Sequence, residues 1–115
     1  MFDRLFGRSG PSIATISPRD AWERYASAPS DVALIDVREA WEFSRGHAKG
    51  ARNIPLSAFT RRLKEIPTDK HTMLICQSGH RSMQAAQALA AHGYERVSNI
   101  SGGTAVWRMS QLPME

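Results

Sequence analysis

The hydrophobic pattern alternates between short apolar runs and amphipathic stretches. Val32-Ala33-Leu34-Ile35 and Met73-Leu74-Ile75 are continuous apolar runs with no polar alternation, as expected of strands buried on both faces. Val97-Ser98-Asn99-Ile100 reads as a further strand, and Ala51-Arg52-Asn53-Ile54 as a short one stopped by Pro55. Between them lie helical stretches. Ser17 caps the first, Pro18 takes its first position, and Trp22 and Tyr25 share a face before Pro29-Ser30-Asp31 ends it. Ala40-Trp41-Glu42-Phe43 predicts a short helix closed by Gly46. Ser57 predicts a helix cap, with Phe59, Leu63 and Ile66 as the apolar stripe and Pro67 as the stop. An alanine-rich helix is predicted from Ser82 to His92, with Gly93 as its left-handed cap. Gly102-Gly103 opens a last helix through Trp107. Strands alternating with helices predict an α/β domain whose sheet is mostly parallel, with helices on both faces.

Composition narrows the class. The chain has 115 residues, 42% hydrophobic and 23% charged, the profile of one globular domain. Residues 1–12, ending in Ser9-Gly10-Pro11-Ser12, read as a tail, and residues 13–115 as the domain. The excess of 15 Lys and Arg over 11 Asp and Glu gives a net +4, suited to small anionic substrates or acidic partners. The charges are scattered. Arg61-Arg62 reads as a solvated face, and no basic run with interleaved aromatics points to nucleic acid. No apolar run reaches the length of a signal peptide or a membrane span, so neither is expected. A single cysteine allows no internal disulfide and fits a reducing, cytoplasmic setting.

The chemistry concentrates in Met73-Leu74-Ile75-Cys76-Gln77-Ser78-Gly79-His80-Arg81-Ser82. A buried strand delivers Cys76 to the carboxyl edge of the sheet, where ligands bind in open α/β folds. A turn then opens into a helix, and Gly79 supplies the positive φ such a turn needs. The backbone N–H groups of Gln77 to Ser82 have no carbonyl partners within the helix and converge on the sulfur. This cradle, with Arg81 and His80 nearby, favours the thiolate. Gln77 and Ser78 contribute N–H groups rather than side chains. The bland alternative is that Cys76 is a small core hydrophobe.

Four segments, taken together, resemble the rhodanese-like sulfurtransferases. Cys76 to Arg81 matches the family's C-x-x-G-x-R loop. Asp36-Val37-Arg38 followed by Glu42-Phe43 matches D-V-R-x-x-x-E-[YF]. Gly46-His47-Ala48-Lys49-Gly50-Ala51-Arg52-Asn53-Ile54-Pro55 resembles G-H-I-x-G-A-x-N-I-P, and Gly102 to Trp107 resembles G-G-x-x-x-W. The resemblance implies a parallel sheet of about five strands and a ping-pong sulfur transfer through a Cys76 persulfide. The implied donor is thiosulfate or another small anionic persulfide donor. The implied acceptor is cyanide or a thiol, including one on a thioredoxin-like protein. It implies no metal and no organic cofactor. A second reading is a persulfide relay module for a protein partner. A third, a cysteine-dependent phosphatase or arsenate reductase, ranks lower, because those enzymes place five residues between Cys and Arg and this chain places four.

The supporting residues carry paired readings. Arg81 holds the anionic substrate or braces the loop through a salt bridge. Asp36 and Arg38 stand at a strand end, as site residues or as an ion pair joining loops. Arg38 and Glu42 are spaced to pair on a helix face. His47 makes a structural hydrogen bond or takes part in acid–base chemistry. His80 faces solvent or tunes the thiolate. His71, His92, Arg45, Lys49 and Arg52 are expected at the surface, and Trp22, Trp41 and Trp107 in the core.

Overall fold

The computed structural model describes residues 13–115; the predicted tail over 1–12 lies outside the described residues. Five parallel strands form one sheet: β1 (Ala14–Ile16), β2 (Val32–Asp36), β3 (Arg52–Asn53), β4 (His71–Ile75) and β5 (Val97–Ile100), in the order β1-β5-β4-β2-β3. Helices α1 (Pro18–Ser27), α2 (Ala40–Phe43) and α3 (His80–Ala91) lie in the connections, and α4 (Gly103–Met109) follows β5. The α/β fold predicted from the alternation is the observed one.

The period-two alternation of a strand sorts the core onto two faces. Ile35, Val37, Leu74 and Cys76 point to one face, where they pack with Phe59 and with Ala85, Ala86 and Leu89 of α3. Leu34, Met73, Ile75 and Ile100 point to the other, against Ala21 of α1 and Trp107 of α4. Trp107 is fully buried and meets Trp22 edge-on at 6.2 Å between ring centroids. Both faces of β2 and β4 are covered, so their sequences carry no polar alternation.

Strand order also explains where a site belongs. From β2 the chain continues outward to β3, and from β4 it continues outward the other way to β5. The carboxyl ends of β2 and β4 therefore flank the switch point of the sheet, the place where open α/β folds form ligand crevices. The Val37 N–H donates to the Ile75 carbonyl at 2.9 Å and holds the two ends together.

Several expectations need correction. The helix predicted after Ser57 is instead two 3-10 segments, Leu56–Ala58 and Thr60–Glu65, and Arg62 departs from helical dihedrals inside the second. A 3-10 turn rises about 2.0 Å per residue against about 1.5 Å for an α-helix. The segment thus stretches further between Pro55 and Pro67 while still burying Phe59 and Ile66. Ser57 does not cap it; its hydroxyl donates to the Glu39 carboxylate. The alanine-rich helix starts at His80, two residues before the expected Ser82. Trp41 is not core: it is 62% exposed, because Phe43 takes the inward position of the one-turn α2 and the Arg45 guanidinium lies over the indole at 5.3 Å. His71 is half-buried rather than on the surface, bonded through Nε2 to the Ser98 hydroxyl at 2.7 Å. The edge strand β1 went unpredicted, being three residues long with two of them exposed.

Candidate active site

Cys76 is the first residue after β4, and its side chain points to the α3 face. It is 1% exposed. The loop that follows turns on Gly79, which caps α3 at φ +108°, a conformation that a Cβ disfavours. That turn aims the Gly79 N–H at the sulfur, 3.1 Å away. Ser82 lies in the first turn of α3, and helical side chains lean toward the helix N-terminus. Its hydroxyl consequently reaches back to 3.3 Å from Sγ. Burial pushes the Cys76 thiol up. The hydrogen bond with the Ser82 hydroxyl and those from the N–H groups of Ser82, Gly79 and Ser78 outweigh it, leaving the thiol below its ordinary value.

The loop is clamped from behind by α4. Thr104 donates its N–H and its hydroxyl to the Cys76 carbonyl, at 2.8 and 3.1 Å, and the Ala105 N–H donates to the Gln77 carbonyl at 3.2 Å. Only a glycine at position 103 permits this approach, because a Cβ there would overlap the Cys76 and Gln77 carbonyls. From β5, Asn99 donates from Nδ2 to the Gly79 carbonyl at 3.1 Å and accepts at Oδ1 from the Ser82 hydroxyl at 2.5 Å.

Arg81 braces rather than reaches inward. Its two terminal nitrogens donate to the two carboxylate oxygens of Glu42 at 2.7 and 3.0 Å. The Arg81 bonds hold the Glu42 carboxyl at about 2, against the opposing effect of burial and with help from the Glu39 N–H. Arg38 does not pair with Glu42. It turns back onto Asp36, Nη2 to Oδ2 at 2.9 Å, with both side chains buried, and also donates to the Gly46 carbonyl. Asn53 ties the same loop by donating to the Asp36 and Arg38 carbonyls.

The side chains of the remaining predicted residues stand apart from the sulfur. His47 bonds the Phe43 carbonyl through Nδ1 at 3.0 Å, stacks on the Phe43 ring at 3.6 Å and lies 3.5 Å from the Glu115 carboxylate. His80 is exposed at the head of α3, its Nδ1 3.1 Å from the Ser78 hydroxyl. Gln77 and Ser78 are exposed. Gln77 borders a groove of about 220 Å³ with Arg38, Trp41, Glu42, Arg45 and Arg108. A larger cavity of about 660 Å³ lies beside β1 and α1 and shares no residue with the loop.

Sequence reasoning missed three contributions: the Ser82 hydroxyl, Asn99 and the pairing of Glu42 with Arg81. Starting the helix at Ser82 hid the backward lean of its hydroxyl. A signal for Asn99 was present, a polar side chain inside an apolar strand run. Among the described residues, no cluster of His, Cys, Asp or Glu is arranged to hold a metal ion.

A parallel sheet that presents a buried cysteine in a loop of N–H donors at its switch point defines the class: an α/β domain built around a single sulfur. The family model for the rhodanese-like domain matches residues 17–110, and the chain belongs to that family. It is 46% identical over 85 residues to the uncharacterized protein YqhL of Bacillus subtilis, covering 74% of this chain and 68% of that protein. It is 33% identical over 104 residues to the thiosulfate sulfurtransferase GlpE of Glaesserella parasuis, covering 90% and 94%. The crystal structure of a rhodanese-related protein from Thermoplasma volcanium matches with a TM-score of 0.76 at 27% identity, covering 89% of this chain and 97% of that one. Relatives of these names support a rhodanese-type sulfurtransferase.

Proposed function

We propose that the chain moves a sulfane sulfur through a persulfide on Cys76. The observation that carries this reading is the Cys76 sulfur held by the Gly79 N–H and the Ser82 hydroxyl at the mouth of α3. The thiolate attacks the outer sulfur of thiosulfate or another persulfide donor. A bond forms between Sγ and that sulfur, the donor's S–S bond breaks, and sulfite or the donor's remainder leaves with the electron pair. The terminal sulfur of the persulfide is anionic, and the loop N–H groups from Gln77 to Ser82 are placed to stabilise it. Cyanide or a thiolate acceptor then attacks the outer sulfur and releases the Cys76 thiolate.

Gln77, Ser78, Gly79 and His80 form the substrate's surroundings in this reading. Arg81, Asp36, Arg38 and His47 hold those surroundings in place. A phosphatase or arsenate reductase fits less well: the ring between Cys76 and Arg81 is short, and both ends of the Arg81 guanidinium are taken by Glu42. A lone thiol that must stay reduced fits a cytoplasmic setting. No helix among the described residues is long and apolar enough to cross a membrane.

Incubation with thiosulfate should leave Cys76 heavier by one sulfur atom, read by mass spectrometry, and cyanide should then yield thiocyanate. Full thiocyanate formation by Cys76→Ser would sink the proposal. A relay serving a protein partner is the second reading. It is favoured by the exposed Trp41 beside Arg45 and Arg108 in the groove that Gln77 borders, since Trp and Arg are frequent anchors of protein interfaces. Faster transfer from or to a protein persulfide, such as one on a thioredoxin-like protein, than with thiosulfate and cyanide would select it.

A further inference from the structure

The hydrogens around Cys76 do not suffice for every acceptor. Asn99 has its amide orientation fixed, because Nδ2 donates to the Gly79 carbonyl at 3.1 Å. Flipping the amide would set two carbonyl oxygens against each other. Oδ1 therefore faces the Ser82 hydroxyl, 2.5 Å away, and requires a donor there. The same hydroxyl is 3.3 Å from Sγ. Ser82 owns one hydroxyl hydrogen for two acceptors. All three residues are buried.

With Cys76 as a thiol, the chain of bonds closes. The S–H donates to Ser82 Oγ, and the Ser82 O–H donates to Asn99 Oδ1. With Cys76 as a thiolate, the sulfur only accepts. The Ser82 hydrogen must then swing to Sγ and leave Oδ1 facing a hydroxyl lone pair, or stay with Asn99 and leave the sulfur facing one. Either way one buried acceptor goes without the Ser82 hydrogen, a cost that falls on the thiolate state alone; the sulfur keeps the Gly79 N–H at 3.1 Å throughout.

We propose that Asn99 is a positioning residue that governs, through Ser82, whether a hydrogen is available to the Cys76 sulfur. Asn99 competes with the thiolate for the Ser82 hydrogen. No covalent bond changes in Ser82 or Asn99: the thiol proton passes to a solvent base, and the hydroxyl rotates. In the persulfide the inner sulfur is uncharged, so the hydroxyl returns to Asn99. The competition thus weighs on the free thiolate alone and keeps it reactive rather than over-stabilised. This deepens the sulfur-transfer reading and rests on it for its purpose, but the competition itself is a property of the thiol.

The test is a double-mutant cycle on the Cys76 pKa. The pKa is read from the pH dependence of alkylation by iodoacetamide, which needs no sulfur transfer and so fails or succeeds separately from the proposed activity. Asn99→Ala frees the Ser82 hydroxyl for the thiolate. In the parent it should lower the Cys76 pKa by roughly half a unit to one unit relative to the same substitution made in Ser82→Ala. Asn99→Leu, which fills the same space, should do likewise and guards against a cavity effect; melting curves establish that each variant folds. Arg81 with Glu42, the Asp36–Arg38 pair and His80 are the other charged or titratable groups around the loop. They are present in every member of the cycle, so their effects cancel. If Asn99 only braced the Gly79 carbonyl, the two backgrounds would shift alike. An equal shift, a rise confined to the Ser82 background, or no shift in either overturns the proposal.

Discussion

Two loops leave the same edge of the sheet side by side, and they are built on opposite principles. The loop after β2 buries a full ion pair: Asp36 and Arg38 bond each other, the Gly46 carbonyl takes a further Arg38 donor, and Asn53 ties the backbone. Its charges are spent on one another, so it offers an incoming anion little. The loop after β4 contains no charged side chain until Arg81, and Arg81 is spent on Glu42. What it offers are N–H groups held by a turn, aimed at a sulfur. The charges at this edge are therefore paired within the protein, and what is turned toward Cys76 is a set of N–H dipoles rather than a charged side chain.

The comparison can be broken from either side. The largest effect is expected from Asp36→Ala, which strands the buried Arg38 guanidinium without its partner. Such a change should cost about 3–5 kcal/mol of stability in urea denaturation. The alkylation pKa of Cys76 should stay nearly unchanged, because no Asp36 bond reaches the β4 loop; a large change there would mean that the two loops act as one unit. Next comes Gly103→Ala, which drives a Cβ into the Cys76 and Gln77 carbonyls. We expect about 1–3 kcal/mol of destabilisation and a disproportionate loss of persulfide formation in the fraction that folds. Smallest is Glu42→Gln, about 1 kcal/mol, since solvent reaches the Glu42–Arg81 pair. Its signature is in the pH dependence. Glu42 has a carboxyl lowered from 4.5 to about 2. The stability it contributes is therefore complete above pH 4.5 and lost as the pH falls toward 2. The parent should lose stability across that window more steeply than Glu42→Gln; parallel curves would show that the pair contributes nothing.

The sequence was legible where burial is two-sided. The runs at 32–35 and 73–75 mark β2 and β4 because their neighbours on both faces are helices, and the Cys-to-Arg loop follows from where β4 ends. It was illegible where one residue of phase decides the outcome. The stripe Phe59, Leu63, Ile66 satisfies an α-helical period, yet the chain kinks at Arg62 and buries Phe59 and Ile66 from two short 3-10 segments. Starting α3 at Ser82 instead of His80 turns that hydroxyl away from the sulfur. Trp41 looked like core because indoles usually bury, yet in a single turn of helix Phe43 already occupies the inward side.

The clamp on the Cys76 carbonyl has a consequence for the order in which the site is completed. Thr104, Gly103 and Asn99 all follow the cysteine by more than twenty residues, and the loop depends on each of them. During synthesis, which proceeds from the N-terminus, a chain that has released β4 and α3 but not yet β5 and α4 carries Cys76 on a loop without its clamp. The donors to the sulfur, from Ser78, Gly79 and Ser82, are thus all made before the residues that fix the loop holding them, and that loop takes its final form only when the domain is nearly whole.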